Sequence, residues 1–165
     1  MREIRVCPQK RARGVCLVRQ QAKTAALTAI LATLYTVGVV ALAPVSFLVI
    51  QCRVADALLA LSVVYGWPAI LGTTLGCIVA NMYGGLGIVD IVGGSIANFI
   101  ATFAGYLIAK RVRGELGIWL ALITEALIVA AIVGSYLSVL LNVPLWLSLL
   151  GILGGSIVSI CLLGY

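Results

Sequence analysis

Four apolar runs, residues 24–43, 87–109, 116–137 and 144–163, constrain this chain more than any motif it carries. Residues 24–43 are twenty apolar or small residues, which as an α-helix rise about 30 Å and cover the hydrocarbon core of a bilayer. Backbone groups in hydrocarbon must be paired within their own segment, so these runs predict membrane-spanning helices. Composition agrees, because 63% of the 165 residues are hydrophobic and only 10% are charged, whereas soluble domains are about half apolar and a quarter charged. Gly and Pro are scattered through the apolar runs and no linker or low-complexity tail separates a second domain. The fold class expected is an all-α membrane protein, one compact bundle. Residues 41–43 resemble a small-residue cleavage site behind a basic leader, but the preceding run exceeds the roughly 7 to 15 apolar residues of a signal peptide, so it is read as a retained helix.

Residues 53–83 are the difficult stretch. As one helix they would run about 46 Å, too long for an ordinary crossing, and "YGWPA" at 65–69 carries the Gly and Pro that punctuate helices. Charge offers an independent check. Seven of the eleven basic residues precede Thr24 (Arg2, Arg5, Lys10, Arg11, Arg13, Arg19, Lys23) and Lys110, Arg111 and Arg113 form a second cluster. Such clusters beside spans mark the cytoplasmic face, and both clusters lie on it only if an even number of spans separates them. Splitting 53–83 near Gly66 gives six transmembrane helices with both termini cytoplasmic, residues 1–23 being a basic cytoplasmic leader and 24–165 the membrane domain. The second helix is short, about 18 Å over residues 54–65, and either begins earlier, near Phe47, or is partly re-entrant in a protein-lined cavity.

This topology brings Arg53, Asp56, Asn81, Tyr83 and Asp90 to the outer side. Ionisable groups near a bilayer are costly unless paired or facing water, so they are candidates for the wall of a ligand pocket. Arg53 and Asp56 are spaced i, i+3 and can pair on one helical face; an interfacial ion pair that only orients the helix is the competing reading. Glu125, in the middle of the fifth helix, needs a donor or a proton. Its candidate roles are substrate contact, proton coupling or a buried hydrogen bond to another helix, with Asn98 as the candidate partner. Small residues recur every fourth position: Ala22/Ala26 and Ala25/Ala29, Gly72/Gly76/Ala80, Gly93/Ala97/Ala101/Gly105 and Gly151/Gly155/Ser159. In lipid such stripes allow close backbone approach. The last three stripes are read as internal packing; that on the first helix, beside the basic leader, either packs internally or docks another protein. Trp67, Trp119 and Trp146 are expected as interface anchors, and Phe47, Tyr83 and Tyr136 lie toward the outer side, where a flat ligand could stack.

The five cysteines (Cys7, Cys16, Cys52, Cys77, Cys161) form no Cys-x-x-Cys pair and are read as small apolar fillers, so no metal site is expected. The chain has no histidine and no G-x-x-x-x-G-K-[ST] phosphate loop, which leaves the usual catalytic constellations and ATP cradle unformed. Enzyme activity is not expected; neither is nucleic-acid binding, since the net charge of +6 is concentrated beside spans.

"LAPVSFLVIQCRVADALLAL", "AILGTTLGCIVANMYGGLGIVDIVGGSIANFIA" and the ending "VPLWLSLLGILGGSIVSICLLGY" resemble the QueT family, substrate-binding S components of energy-coupling-factor (ECF) transporters, over about residues 25–165. The resemblance implies a six-helix bundle in the cell membrane that captures a scarce small molecule on its outer side. Its implied partners are a transmembrane coupling subunit and two cytoplasmic ATPases, so that ATP is used by partners and no cofactor is carried by the chain itself. The substrate class implied is a queuosine precursor, a 7-deazaguanine. An alanine-x-x-x-alanine face on the first helix contacts the coupling subunit in such proteins, and Ala22, Ala25, Ala26 and Ala29 are the matching positions. The sequence departs from the family's pattern at "ALSVVYGW", where a proline is expected, and at Glu125, where an uncharged residue is expected. A guanine-type edge would suit the polar set: one carboxylate, Asp56 or Asp90, accepts its adjacent N–H donors, Asn81 or Arg53 donates to its carbonyl, and a cationic aminomethyl group engages the second carboxylate. A self-sufficient proton-coupled carrier using Glu125, an S component for another vitamin-like substrate, and a ligand-free scaffold are the alternatives.

Overall fold

The structure, a computed structural model, describes residues 10–42 and 54–165, with side chains from Val18 onward. Arg2, Arg5, Cys7, Pro44, Phe47, Cys52 and Arg53 lie outside the described residues, as do the side chains of Lys10, Arg11, Arg13 and Cys16. Every described element is helical: α1 (Lys10–Ala41), α2 (Val54–Tyr65), α3 (Trp67–Gly84), α4 (Ile88–Arg111), α5 (Glu115–Leu140) and α6 (Leu145–Leu163). Four of them, α1 over Val18–Ala41, α4, α5 and α6, are long and apolar enough to cross a membrane.

The first helix begins earlier than the apolar run that predicts it. It starts at Lys10 instead of near Thr24 and spans 32 residues, about 48 Å. Lys, Arg, Ala and Gln dominate residues 10–23 and are strong helix formers, so the basic leader continues the span without a break. The division of 53–83 falls at Gly66, whose φ of 64° and ψ of −128° suit glycine. Its N–H donates to the Ser62 carbonyl (2.9 Å) and closes α2, while Pro68 occupies the first turn of α3. Val54–Ala60 is wound as a 3₁₀-helix, so α2 as a whole extends about 21 Å, short of a crossing. The last part of α6, Ile157–Leu163, is a π-helix, whose wide turn buries the three consecutive residues Ser159, Ile160 and Cys161.

Small residues set the helix contacts. A Cβ on Gly72 would stand 2.9 Å from the Leu31 Cβ and the Thr28 carbonyl, and one on Gly76 would stand 2.7 Å from the Ala32 carbonyl. These contacts advance in the same direction along both helices, so α1 and α3 run parallel, with backbones close enough for Thr36 to donate to the Gly76 carbonyl (3.1 Å). Gly134 similarly admits Leu149 of α6, and Ser148 Oγ donates to the Gly134 carbonyl (3.0 Å). Of the other stripes expected inside the bundle, Gly93 and Gly105 of α4 lie against Tyr136 and Glu125 of α5, and Gly155 and Ser159 of α6 are buried. Ala22, Ala25, Ala26 and Ala29 are different: all four are exposed, because α1 packs inward through Leu31, Tyr35 and Val39.

Aromatic contacts fix which helix ends lie together. Trp119 at the start of α5 stacks on Tyr165 (centroids 4.6 Å apart), and Trp67 at the start of α3 lies 5.8 Å from Phe103 on the second half of α4. Since α1 parallels α3, its Arg19 and Lys23 share this end with Lys110, Arg111 and Arg113. Every described basic side chain is thus at one end of the molecule, and α1 starts and α6 finishes there.

Candidate functional site

The inward face of α4 carries Asp90, Gly94, Asn98, Thr102 and Gly105, all buried, at intervals of about one turn. The first of them lies at the end opposite the basic residues. The α3–α4 connection is short and turns through Gly85 (φ 70°) and Gly87 (φ 100°), which lays the last turn of α3 against the first turn of α4. There Asn81 Nδ2 donates to the Asp90 main-chain carbonyl (2.9 Å), and Gly94 leaves the space that the Asn81 amide occupies. Tyr136, near the end of α5, donates its hydroxyl to Asp90 Oδ1 (2.8 Å).

Two turns further along α4, about 12 Å on the helix axis, Asn98 Nδ2 donates to the Tyr35 hydroxyl (3.0 Å). That hydroxyl in turn donates to Asp56 Oδ1 (2.6 Å), so one tyrosine from α1 joins α2 to α4. Tyr35 is fully buried and Asp56 nearly so. Each of the two aspartates therefore has a tyrosine hydroxyl on its Oδ1, short O–H···O bonds to a carboxylate that are stronger than neutral ones.

Glu125 occupies a separate place. It faces α4 at Gly105, about 10 Å of helix axis beyond Asn98, where only a glycine leaves room for its carboxyl group. Ser62 Oγ of α2 donates to Glu125 Oε1 (2.8 Å), whereas Oε2 is buried with no hydrogen-bond partner. The expected Glu125–Asn98 bond is not formed, because Asn98 lies at the level of Tyr35 and bonds there.

The structure thus brings Asn81 to Asp90, places Asp56 within the same buried belt through Tyr35 and Asn98, and sets Glu125 deeper. Tyr83 is 66% exposed on α3 and takes no part in these contacts, and Arg53 lies outside the described residues. Tyr35 and Ser62 were not anticipated from sequence. Tyr35 had a signal: Leu31, Tyr35 and Val39 recur every fourth residue, and a tyrosine on a buried stripe needs a hydroxyl partner. Chemically, the belt offers carboxylate acceptors, amide groups and phenolic hydroxyls that can donate or accept, a set able to recognise the edge of a polar heterocycle.

Comparison with curated proteins returned no match, and neither did comparison with solved structures. The family model described as QueT transporter matches residues 25–165, which takes in every described helix except the first turns of α1. Apolar membrane-length helices enclosing a buried polar belt are what a membrane transporter requires, and the chain belongs to the QueT transporter family.

Proposed function

We propose that this chain is the substrate-specific S component of an ECF-type importer, capturing a 7-deazaguanine-type queuosine precursor from outside and handing it to a coupling subunit served by two cytoplasmic ATPases. In this reading α2 and α3 complete a bundle of six membrane helices with both termini cytoplasmic, residues 1–23 form a cytoplasmic leader, and ATP is used by the partners alone. The observation that carries the proposal is the pair of buried aspartates, each held by a tyrosine hydroxyl, on the side away from the basic residues. Buried carboxylates are costly in a membrane bundle, and such groups mark substrate pathways.

The ligand takes over part of this hydrogen-bond network. Asp90 or Asp56 accepts the adjacent N–H donors of the guanine-type edge, Asn81 and Arg53 donate to its carbonyl, and the second aspartate engages a cationic aminomethyl substituent. A preorganised, dry site of this kind gives tight binding because little is left to order when the ligand enters. The alanine face of α1, exposed at Ala22, Ala25, Ala26 and Ala29, is the docking surface for the coupling subunit.

Calorimetry on the purified, detergent-solubilised chain with queuosine precursors, guanine and a set of vitamins tests the proposal. Saturable binding of a deazaguanine with little binding of guanine is expected; selective binding of a vitamin overturns the substrate, and no binding by any compound overturns the S-component reading. The second reading, a proton-coupled carrier, is favoured by the unpartnered Oε2 of Glu125. Uptake into vesicles that follows a pH gradient without ATPase partners, and is lost in Glu125→Gln, would establish it instead.

A further inference from the structure

Where α2 ends and α4 nears its end, the two helices diverge around a cleft of about 360 Å³, lined by Val63, Val64, Tyr106, Ala109 and Lys110. Its shape follows from the break at Gly66. With no side chain there, the Tyr106 ring lies where a Cβ would come within 3.0 Å of it, and the ring forms a floor between the helices. Val63, Val64 and Ala109 contribute its apolar side, with Val64 74% exposed, and polar atoms share the lining with them. The rim is cationic: the Lys110 ammonium stands 5.8 Å from the Tyr106 ring centroid, and Arg111 and Arg113, both exposed, follow it in the chain. Asp56, Asp90 and Glu125 are buried in the bundle, and the remaining described acidic side chain, Glu115, is exposed at the start of α5. The local charge at the rim is therefore positive, enough to outweigh the partial negative charge of the α2 and α4 C-termini.

We infer that this cleft seats one anionic phospholipid of the leaflet at the basic end, an acyl chain lying along Val63, Val64 and Ala109 and the phosphate meeting Lys110. The combination selects for an amphiphile. An acyl chain can lie along the valine and alanine side chains while the polar part of the lining, with Lys110, meets a headgroup. A tyrosine one turn from a lysine places the polar rim at headgroup depth, and basic pockets between membrane helices on this side suit anionic headgroups. The bound lipid bridges α2 and α4 across the joint at Gly66.

The test uses the full chain reconstituted in equal parts of phosphatidylglycerol and phosphatidylcholine, repurified in mild detergent, with the retained lipids counted by native mass spectrometry. Wild type is expected to keep phosphatidylglycerol in preference to phosphatidylcholine. Lys110→Ala should lower the retained phosphatidylglycerol about fivefold, the effect of one basic residue at an anionic surface. Val64→Trp, which fills an exposed slot without entering the core, should lower retention of both lipids. Equal retention of the two lipids by wild type, or a preference unchanged in Lys110→Ala, overturns the inference. Loss of retained lipid when the coupling subunit binds, together with cross-linking of that subunit from position 64, assigns the cleft to a protein partner and overturns it as well.

Discussion

One proton decides the arrangement at Tyr35. Its hydroxyl accepts from Asn98 and can donate only once, and it donates to Asp56, so Phe at this position would remove both bonds together. The same reasoning gives a sharper test at Asp90. Asp90→Asn keeps an oxygen for the Tyr136 hydroxyl, and the Asn81 bond goes to the main chain, so the fold is retained. The charge is lost. A hydrogen bond to a charged group contributes about 1.5–3 kcal/mol, so calorimetry should show ligand affinity falling about tenfold or more; unchanged affinity would remove Asp90 from the site. Asp56, Asn81, Asp90 and Glu125 stand out in the sequence because polar groups are conspicuous in apolar runs. Tyr35 and Ser62 do not, because a tyrosine or serine in a span is unremarkable until its partner is known. Those partners are remote: Asn98 is 63 residues from Tyr35, and Glu125 is 63 residues from Ser62.

At the level of helices, the parallel contact of α1 with α3 depends on glycine at two positions. Gly76→Val would press side-chain carbons toward the Ala32 carbonyl, 2.7 Å from the site of the new Cβ, and toward the Tyr35 Cβ at 2.8 Å. Overpacking of this kind costs about 1–3 kcal/mol, and the melting temperature of the detergent-solubilised protein should fall accordingly. Gly154→Ala is the control: nothing lies within 4 Å of its Cβ position, so no loss is expected. The break between α2 and α3 was legible because Gly and Pro act locally. The start of α1 was not, because hydropathy ends at the basic leader while helix propensity continues through it. Nor was the π-helical end of α6, where Ser159, Ile160 and Cys161 are buried in succession.

Across the whole molecule, the described basic side chains gather at one end, Asp90 lies at the other, and Asp56 lies between them at the level of Asn98. The exposed alanine face on α1 leads to a prediction at this scale. Ala26→Leu and Ala29→Leu together should reduce copurification with the proposed coupling subunit at least tenfold, since close backbone approach is blocked, while calorimetric ligand affinity stays unchanged. A loss of both would place the face within the ligand site instead. The continuity of α1 has a mechanical consequence. Ala25 and Tyr35 sit on one uninterrupted rod, about 15 Å apart along its axis, so a tilt of about 10° pivoting at the alanine face swings the far point by about 2.5 Å. The Tyr35–Asp56 bond, at 2.6 Å, tolerates less than half of that stretch before it is broken. Geared in this way, a small lean of the rod at its alanine face would be felt first at the Tyr35–Asp56 bond that ties it to the second helix.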